Sequence, residues 1–149
     1  MNITYLQNFI EESNRIEGEN TKQYQLNACS AFLSVPITAE SVKLLHKELS
    51  QGRHIKQGEW RDCQVYVGSF KPMAPEHLEL AMMGFFSNLH LWDSWEAHNR
   101  FEKIHPFEDL NGRVGRMIWL HKALEEGYNG SIGFLHKYYY QTLQRYESI

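Results

Sequence analysis

The residues best suited to chemistry lie together in the segment HPFEDLNGRVGR, which spans 105–116. His105 opens the segment, and a neutral imidazole there can take a proton from an incoming hydroxyl, a role worth on the order of 10²–10⁴ in rate. Arg113 and Arg116 are three residues apart, so on a helix their guanidinium groups share one face. The two arginines predict a polyphosphate site, and His105 adds a general base at the start of the same segment.

The middle of the same segment adds groups that bind anions and metal ions. Asn111 is a good N-cap for a following helix, and Gly112 lets a ligand approach the free amides of that helix start. Asp109 offers the carboxylate oxygens that Mg²⁺ prefers when the ion also contacts substrate phosphates. Phe107 has no evident chemistry and is expected to anchor the loop to the core. We therefore expect Mg²⁺ as a cofactor.

Helices must position this segment, because apolar residues recur at offsets of three and four along most of the chain. Helix stop and start signals, such as Gly18, Thr38 and Pro106, divide the pattern into elements. The predicted helices run from about 3 to 18, 24 to 33, 38 to 49, 75 to 89, 95 to 105, 111 to 127 and 135 to 146.

One stretch, about 54–70, departs from the helical pattern. Its residues QVYV at 64–67 favour extended structure, and Gly58 and Asp62 supply turn chemistry, so we expect a short β-hairpin there. The predicted fold class is therefore all-α: a compact helical bundle with one small hairpin, formed as a single domain over 1–149.

Length and composition limit the class of protein. A chain of 149 residues with 42% hydrophobic content can build one core of ordinary size. Its net charge of −3, from interspersed acids and bases, leaves no basic stripe, so we expect no direct nucleic-acid partner. Cys29 and Cys63 lie outside any disulfide or metal spacing, and we see no signal peptide or membrane-length apolar run. We expect a cytoplasmic protein without a membrane partner.

The segment 105–116 resembles the signature of the Fic family, HxFx(D/E)(G/A)N(G/K)RxxR. The stretches around it are similar to the family as well: AHNRFEKI before it, GEWR and VYVG in the predicted hairpin, and Tyr138-Tyr139 near the C-terminus. The matching positions of the signature are His105, Phe107, Asp109, Asn111, Gly112, Arg113 and Arg116.

The resemblance implies a protein adenylyltransferase, which moves AMP from ATP to a Ser, Thr or Tyr hydroxyl of a target protein, with the chain itself as one candidate target. In the family the histidine deprotonates that hydroxyl and the acidic residue holds Mg²⁺, roles that fall to His105 and Asp109. The first arginine contacts the β-phosphate and the second the γ-phosphate. The residues that would bind the ATP phosphates are Asn111, Gly112, Arg113 and Arg116.

Two positions of the signature refine this expectation. Gly112 is the residue that AMP-transferring members carry, whereas members with lysine there, resembling the Doc toxin, phosphorylate instead. Leu110 departs from the family's usual Gly or Ala. If the position requires an unusual backbone angle or a close approach of phosphate, leucine is expected to strain the loop and lower activity.

An N-terminal motif resembles the family's inhibitory sequence (S/T)xxxE(G/N). Ser13 and Glu17 are four residues apart and so share one helical face, within a predicted inhibitory helix of about 3–18. The resemblance implies that Glu17 pairs with Arg116 and blocks the γ-phosphate. The simpler alternative is an ordinary helix cap and a solvated charge.

Other interpretations of the chain stay open at this stage. Trp60 and Arg61 are either surface packing or part of a target-docking flap at about 54–70, which aligns a target segment by strand addition. Within the same family, the site could chiefly remove AMP from a modified protein. Leu110 is the one hint of a catalytically silent binding module, and the chain is also a candidate homo-oligomer.

Overall fold

In the computed structural model, residues 3–128 are described, and they form six α-helices joined by loops and single turns of 3₁₀ helix. The 3₁₀ turns, Pro75–His77 and Leu89–Leu91, flank the fourth helix. The seventh predicted helix, over 135–146, and the tyrosines at 138–140 lie outside the described residues. The six helices are α1 (Ile3–Ile16), α2 (Gln23–Leu33), α3 (Ala39–Leu49), α4 (Leu78–Asn88), α5 (Ser94–Ile104) and α6 (Asn111–Glu125).

The ends of these helices follow the local signals in the sequence. Gly18 ends the first helical segment with a φ of +71°, a conformation that glycine adopts without steric cost. Thr38 caps α3, since its hydroxyl accepts a hydrogen bond from the Ser41 amide at 3.1 Å. The six predicted helices that fall within the described residues are confirmed.

The sixth helix is the centre of the bundle. It packs against α5 most extensively and also contacts α1, α2 and α3. Residues from Val114 to Ala123 are buried without a break, as expected for a helix that is covered on all sides. In the part of the chain from 3 to 128, no helix has both the length and the apolar character needed to cross a bilayer.

The predicted hairpin is wrong. Between 54 and 70 the backbone forms one isolated antiparallel bridge, between Val67 and Phe70, and no strand. Side chains take the carbonyls that strand pairing would need: Arg61 donates to Cys63 O at 2.9 Å, and Gln64 donates to the carbonyls of residues 65 and 72. The extended propensity of this stretch correctly indicated that it is not helical. Hydrogen bonds from side chains, however, replace the backbone pairing of a hairpin.

Candidate active site

His105 occupies the turn that ends α5. Its backbone is left-handed, with φ 53° and ψ 62°, and the next residue, Pro106, has no N–H with which to continue the helix. The His105 amide still closes the helix by donating to Phe101 O at 2.9 Å. The αL turn therefore directs the chain out of α5 and into the loop that leads to α6.

The ring of His105 is set up as a neutral base. Its Nδ1 lies 3.2 Å from the carbonyl oxygen of Glu102, which can only accept, so Nδ1 carries the proton and Nε2 keeps a lone pair. Burial lowers the pKa of His105 below its ordinary value of 6.5. The side chain is 17% exposed, so the ring remains accessible from one side.

The loop after His105 is fixed by aromatic packing, as predicted for Phe107. Phe107 is fully buried and stacks on the His46 ring, with centroids 3.8 Å apart and planes at 4°. His46 Nε2 donates to Asp109 O at 3.0 Å, while Nδ1 accepts from the Gly58 amide at 3.0 Å. His46 was missed by the sequence analysis. Its only signal was its place on the apolar stripe of α3.

Asn111 does not cap α6, contrary to the prediction. It is the first residue of the helix, and its side chain turns back to Phe107, accepting from the Phe107 amide at 2.9 Å and donating to the Phe107 carbonyl at 2.8 Å. The cap position belongs to Leu110 instead. The buried Asn111 side chain thus closes the loop 107–111 into a hydrogen-bonded ring, which fixes the start of α6.

Leu110 holds the unusual backbone angle that its departure from the family pattern suggested. Its φ is +72°, a region that costs a residue with a Cβ roughly 1–2 kcal/mol. The side chain is 4% exposed and packs in the hydrophobic core, where burial of a leucine contributes about 1.5–3 kcal/mol. Core packing therefore offsets the strain, and the side chain points away from the loop surface.

Stability variants at this position separate the two effects. We expect Leu110→Ala to lower the free energy of unfolding by about 2–5 kcal/mol, since it empties the core site and keeps the strained angle. Leu110→Gly loses the same packing but relieves the strain, so it should be more stable than the alanine variant by about 1 kcal/mol. Chemical denaturation of both proteins measures this order, and an alanine variant that equals or exceeds the glycine variant would contradict it.

Arg116 is bound by the end of α1. The guanidinium is 2% exposed; Nε donates to Ser13 Oγ at 2.7 Å, and Nη2 donates to Ser13 O at 3.0 Å and to Glu17 Oε1 at 2.9 Å. The predicted pairing of Glu17 with Arg116 is confirmed. Gly112 lies directly beside it, since a Cβ added there would come within 2.9 Å of Glu17 Oε1.

Arg113 is bound by a second carboxylate, which the sequence analysis missed. Nη1 donates to Glu19 Oε2 at 2.7 Å and Nη2 to Glu19 Oε1 at 3.3 Å. Arg53 donates to both oxygens of the same carboxylate, at 2.8 and 2.6 Å. The loop after α1 thus supplies one acid to each arginine at the start of α6.

Asp109 fits the role of a single protein ligand to Mg²⁺. Its side chain is 55% exposed; Oδ1 accepts from the Leu110 amide at 2.8 Å, and Oδ2 lies 3.4 Å from Arg53 Nη1. Among residues 3–128, no cluster of three or more His, Cys, Asp and Glu side chains forms a complete metal site. An ion at Asp109 would therefore take its other ligands from phosphates and water, as is usual for Mg²⁺ on a nucleotide.

Trp60 and Arg61 contact the loop that follows α5 and stabilise it. Arg61 is 2% exposed, and its Nε and Nη2 donate to His105 O and Met73 O, both at 2.7 Å, while its amide donates to Pro106 O at 2.8 Å. The indole of Trp60 lies 5.2 Å from the Phe107 ring. Because the Arg61 guanidinium donates to backbone carbonyls, it positions the turn at His105.

Three buried titratable groups around the site predict a pH optimum of stability. Burial lowers the pKa values of His46 and His98 to about 4, and raises the pKa of Glu102 to about 8. Below pH 6.5 the unfolded chain binds protons that both folded histidines exclude, so stability falls toward pH 4. The contribution of protonated Glu102 is full below its unfolded pKa, near 4.5, and is lost as the pH rises to about 8.

Below pH 6.5, the loss of stability that the two histidines cause on acidification is larger than the gain from Glu102. Above pH 6.5, only Glu102 changes the stability. We therefore expect the melting temperature to peak near the unfolded histidine pKa of about 6.5 and to fall on both sides. Thermal melts across pH 4.5–8.5 test this expectation. Glu102→Gln should flatten the alkaline side and steepen the acidic side, because Glu102 opposes the histidines between about pH 4.5 and 6.5. An unchanged loss above pH 6.5 in that variant would show that Glu102 is not its cause.

Sequence comparisons place this site in a known family. The Fic/DOC family model matches residues 36–123, which include all of 105–116. The chain is 32% identical over 143 residues to Protein adenylyltransferase Fic of Aedes aegypti, and 34% identical over 129 residues to the protein of that name from Drosophila melanogaster. These matches cover 87% and 80% of this chain but 29% and 26% of those proteins. The chain thus spans less than a third of the curated relatives it matches.

Solved structures share the fold. A segment of Fic-1 from C. elegans superimposes with a TM-score of 0.72 at 20% identity, over 97% of this chain and 56% of that one. A Fic-domain-containing signalling protein from Bacteroides thetaiotaomicron gives a TM-score of 0.64, also at 20% identity, over 85% of this chain and 65% of that one. At this identity the likeness concerns the fold. Together with the family match and the relatives above 30% identity, it shows that this chain belongs to the Fic/DOC family.

Proposed function

We propose that this chain is a protein adenylyltransferase that transfers AMP from ATP to a protein hydroxyl. The observation that carries the proposal is the pair of arginines, Arg113 and Arg116, on the first turns of α6, each bound to a carboxylate, with the neutral base His105 at the entrance of the same loop. Arginine forks that bind carboxylates bind phosphates by the same geometry. The relatives named Protein adenylyltransferase Fic support this reaction class.

In the proposed reaction, the hydroxyl oxygen of the target attacks the α-phosphorus of ATP. Its proton passes to Nε2 of His105, and the bond from the α-phosphorus to the bridging oxygen breaks, so that pyrophosphate leaves. Arg113 and Arg116 are preorganised and shielded from water, which strengthens their stabilisation of the phosphate charge. Asp109 would hold Mg²⁺, which supplies further positive charge to the phosphates when bound.

The proposal includes inhibition by the N-terminal motif. Ser13 and Glu17 together occupy two of the three nitrogens of the Arg116 guanidinium. A γ-phosphate needs the same nitrogens, and its negative charge would be repelled by the Glu17 carboxylate. ATP must therefore displace Glu17 before Arg116 can bind it.

Target docking is proposed along 62–66, beside the loop. Within residues 3–128, no backbone amide of 62–66 donates to a backbone carbonyl or a side chain, and Tyr66 is 66% exposed. The amides of 62–66 can donate to the carbonyls of an extended target segment, although the carbonyls of residues 63 and 65 stay bonded to Arg61 and Gln64. Such backbone contacts align the target's Ser, Thr or Tyr hydroxyl without strong selection of side chains. Trp60 and Arg61 then hold the edge in place from the core side.

The packing of Leu110 favours an enzyme over a silent binding module. The side chain is part of the core, and its burial offsets the energetic cost of the αL backbone angle. The fold therefore accommodates this departure from the family pattern. The reverse reaction, removal of AMP from a modified protein, uses the same groups and is distinguished by experiment alone.

The position of a radioactive label on ATP tests the reaction class. The Glu17→Gly variant would be incubated with Mg²⁺, candidate target proteins and ATP labelled on either the α- or the γ-phosphate. AMP transfer leaves the α-label on protein and releases the γ-label in pyrophosphate. Protein labelled by γ-phosphate only would overturn the proposal in favour of phosphorylation. No labelling by either nucleotide would overturn it too, and loss of AMP from a modified protein would indicate the reverse direction.

A further inference from the structure

We propose that Arg53 is a third phosphate-binding guanidinium of this site, and that the Glu19 carboxylate occupies its phosphate position in the present structure. The inference rests on the proposed function, since it concerns the same nucleotide. Neither residue belongs to the signature at 105–116 or to the motif that contains Ser13 and Glu17. Arg53 enters from the loop after α3.

The geometry around Glu19 is that of an anion held by two guanidiniums. Both of its oxygens accept from Arg53 Nη2, at 2.8 and 2.6 Å, and both accept from Arg113, at 2.7 and 3.3 Å. A phosphate presents the same pairs of oxygens to an arginine fork. The carboxylate therefore marks a position between two cations where a phosphate oxygen pair would fit.

The two arginines require an anion at this point. Arg113 is 8% exposed in its side chain, so its charge is poorly solvated and would be costly without a partner. The hydrogen bonds from Arg113 and then Arg53 lower the pKa of Glu19 to about 2, so the carboxylate is ionised at neutral pH. If the Glu19 carboxylate moves away, the two guanidiniums are left without an anion between them. The polyphosphate of the proposed nucleotide substrate can take the place of the carboxylate.

Arg53 also reaches the proposed magnesium ligand. Its Nη1 lies 3.4 Å from Asp109 Oδ2, so this one side chain bridges from Asp109 to the carboxylate on Arg113. A nucleotide that contacts both Asp109 through its ion and Arg113 through a phosphate must pass Arg53. Beside Glu19, a polar cleft of about 460 Å³ lined by Asn20 and Lys22 gives the displaced carboxylate room to move.

Direct nucleotide binding tests this assignment without any need for AMP transfer. Dissociation constants for ATP, ADP and AMP would be measured by calorimetry for the wild type, Glu17→Gly, Arg53→Gln, Glu19→Gln, and Glu19→Gln combined with Arg53→Gln. We expect Glu19→Gln to tighten ATP binding by about 10-fold, since a competing charge-assisted contact is lost. Adding Arg53→Gln should weaken ATP and ADP binding by about 10-fold and leave AMP binding unchanged.

Arg100→Gln is the matched control, because Arg100 is exposed and pairs with Glu96 on the outer face of α5. It should not change binding, and thermal melts should show that Arg53→Gln folds, since the side chain is 26% exposed. ATP binding that is equally tight with and without Arg53, or a loss that includes AMP, would overturn the inference alone. Failure of every variant, Glu17→Gly included, to bind ATP would overturn the proposed function and this inference together.

Discussion

Replacement of Glu17 by glycine should raise the rate of AMP transfer by about 10- to 100-fold. The estimate follows from the loss of one charge-assisted hydrogen bond to Arg116, which is worth about 1.5–3 kcal/mol against the incoming γ-phosphate. Glu17 follows the last residue of α1, so the substitution leaves the helix interior intact. Incorporation of α-labelled AMP into protein, measured under initial-rate conditions, gives the ratio.

Two further variants show whether the carboxylate itself is responsible. Glu17→Gln keeps the size and one hydrogen-bond acceptor but removes the charge, so it should release activity partly. Glu12→Gln is the control, since Glu12 lies on the same helix and pairs with exposed Arg15 at 2.8 Å. Equal incorporation by the wild type and Glu17→Gly would count against inhibition, as would an equal rise in Glu12→Gln.

Replacement of His105 by alanine, in the Glu17→Gly background, should lower AMP transfer by about 10²–10⁴-fold, the range expected for a general base. ATP binding should be unchanged, because the phosphates are assigned to other residues. Burial lowers the pKa of His105 below 6.5, so the base stays neutral and the rate should hold from pH 8 to about 6.5, then decline in more acidic solution.

His90→Ala provides the comparison for His105, since His90 is an exposed histidine in the 3₁₀ turn after α4. It should transfer AMP at the parental rate. If His105→Ala retained most of the activity, or if it lost ATP binding to the same extent, His105 would be a structural residue of the loop and the base would have to be sought elsewhere.

Local signals in the sequence were sufficient for most of the fold. Helix ends at Gly18, Thr38 and Pro106 depend on the backbone preferences of single residues and on contacts within three or four positions, which the sequence displays directly. The same local logic failed at 54–70 and at Asn111. In both places side chains bonded to carbonyls or amides that neighbouring residues alone did not identify.

The functional groups at 105–116 are a different case, because their types and spacing were explicit and their partners were not. Glu17 could be paired with Arg116 by resemblance to a motif. Glu19 and Arg53 match no motif, and nothing in their local spacing distinguishes them from solvated charges. His46 was hidden for the same reason, as one polar residue on an apolar stripe.

Residue types and spacing were enough to identify which helices form and where the loop with an imidazole, an acid and two guanidiniums begins. They also indicated that the chemistry of this loop suits a polyphosphate. Which carboxylate meets which arginine depends on how the helices pack, since the partners are 94 residues apart for Glu19 with Arg113 and 99 apart for Glu17 with Arg116. Burial accounts for this dependence on packing. A central helix excludes water from its arginines, so each must find an anion among whatever groups the surrounding helices bring to it.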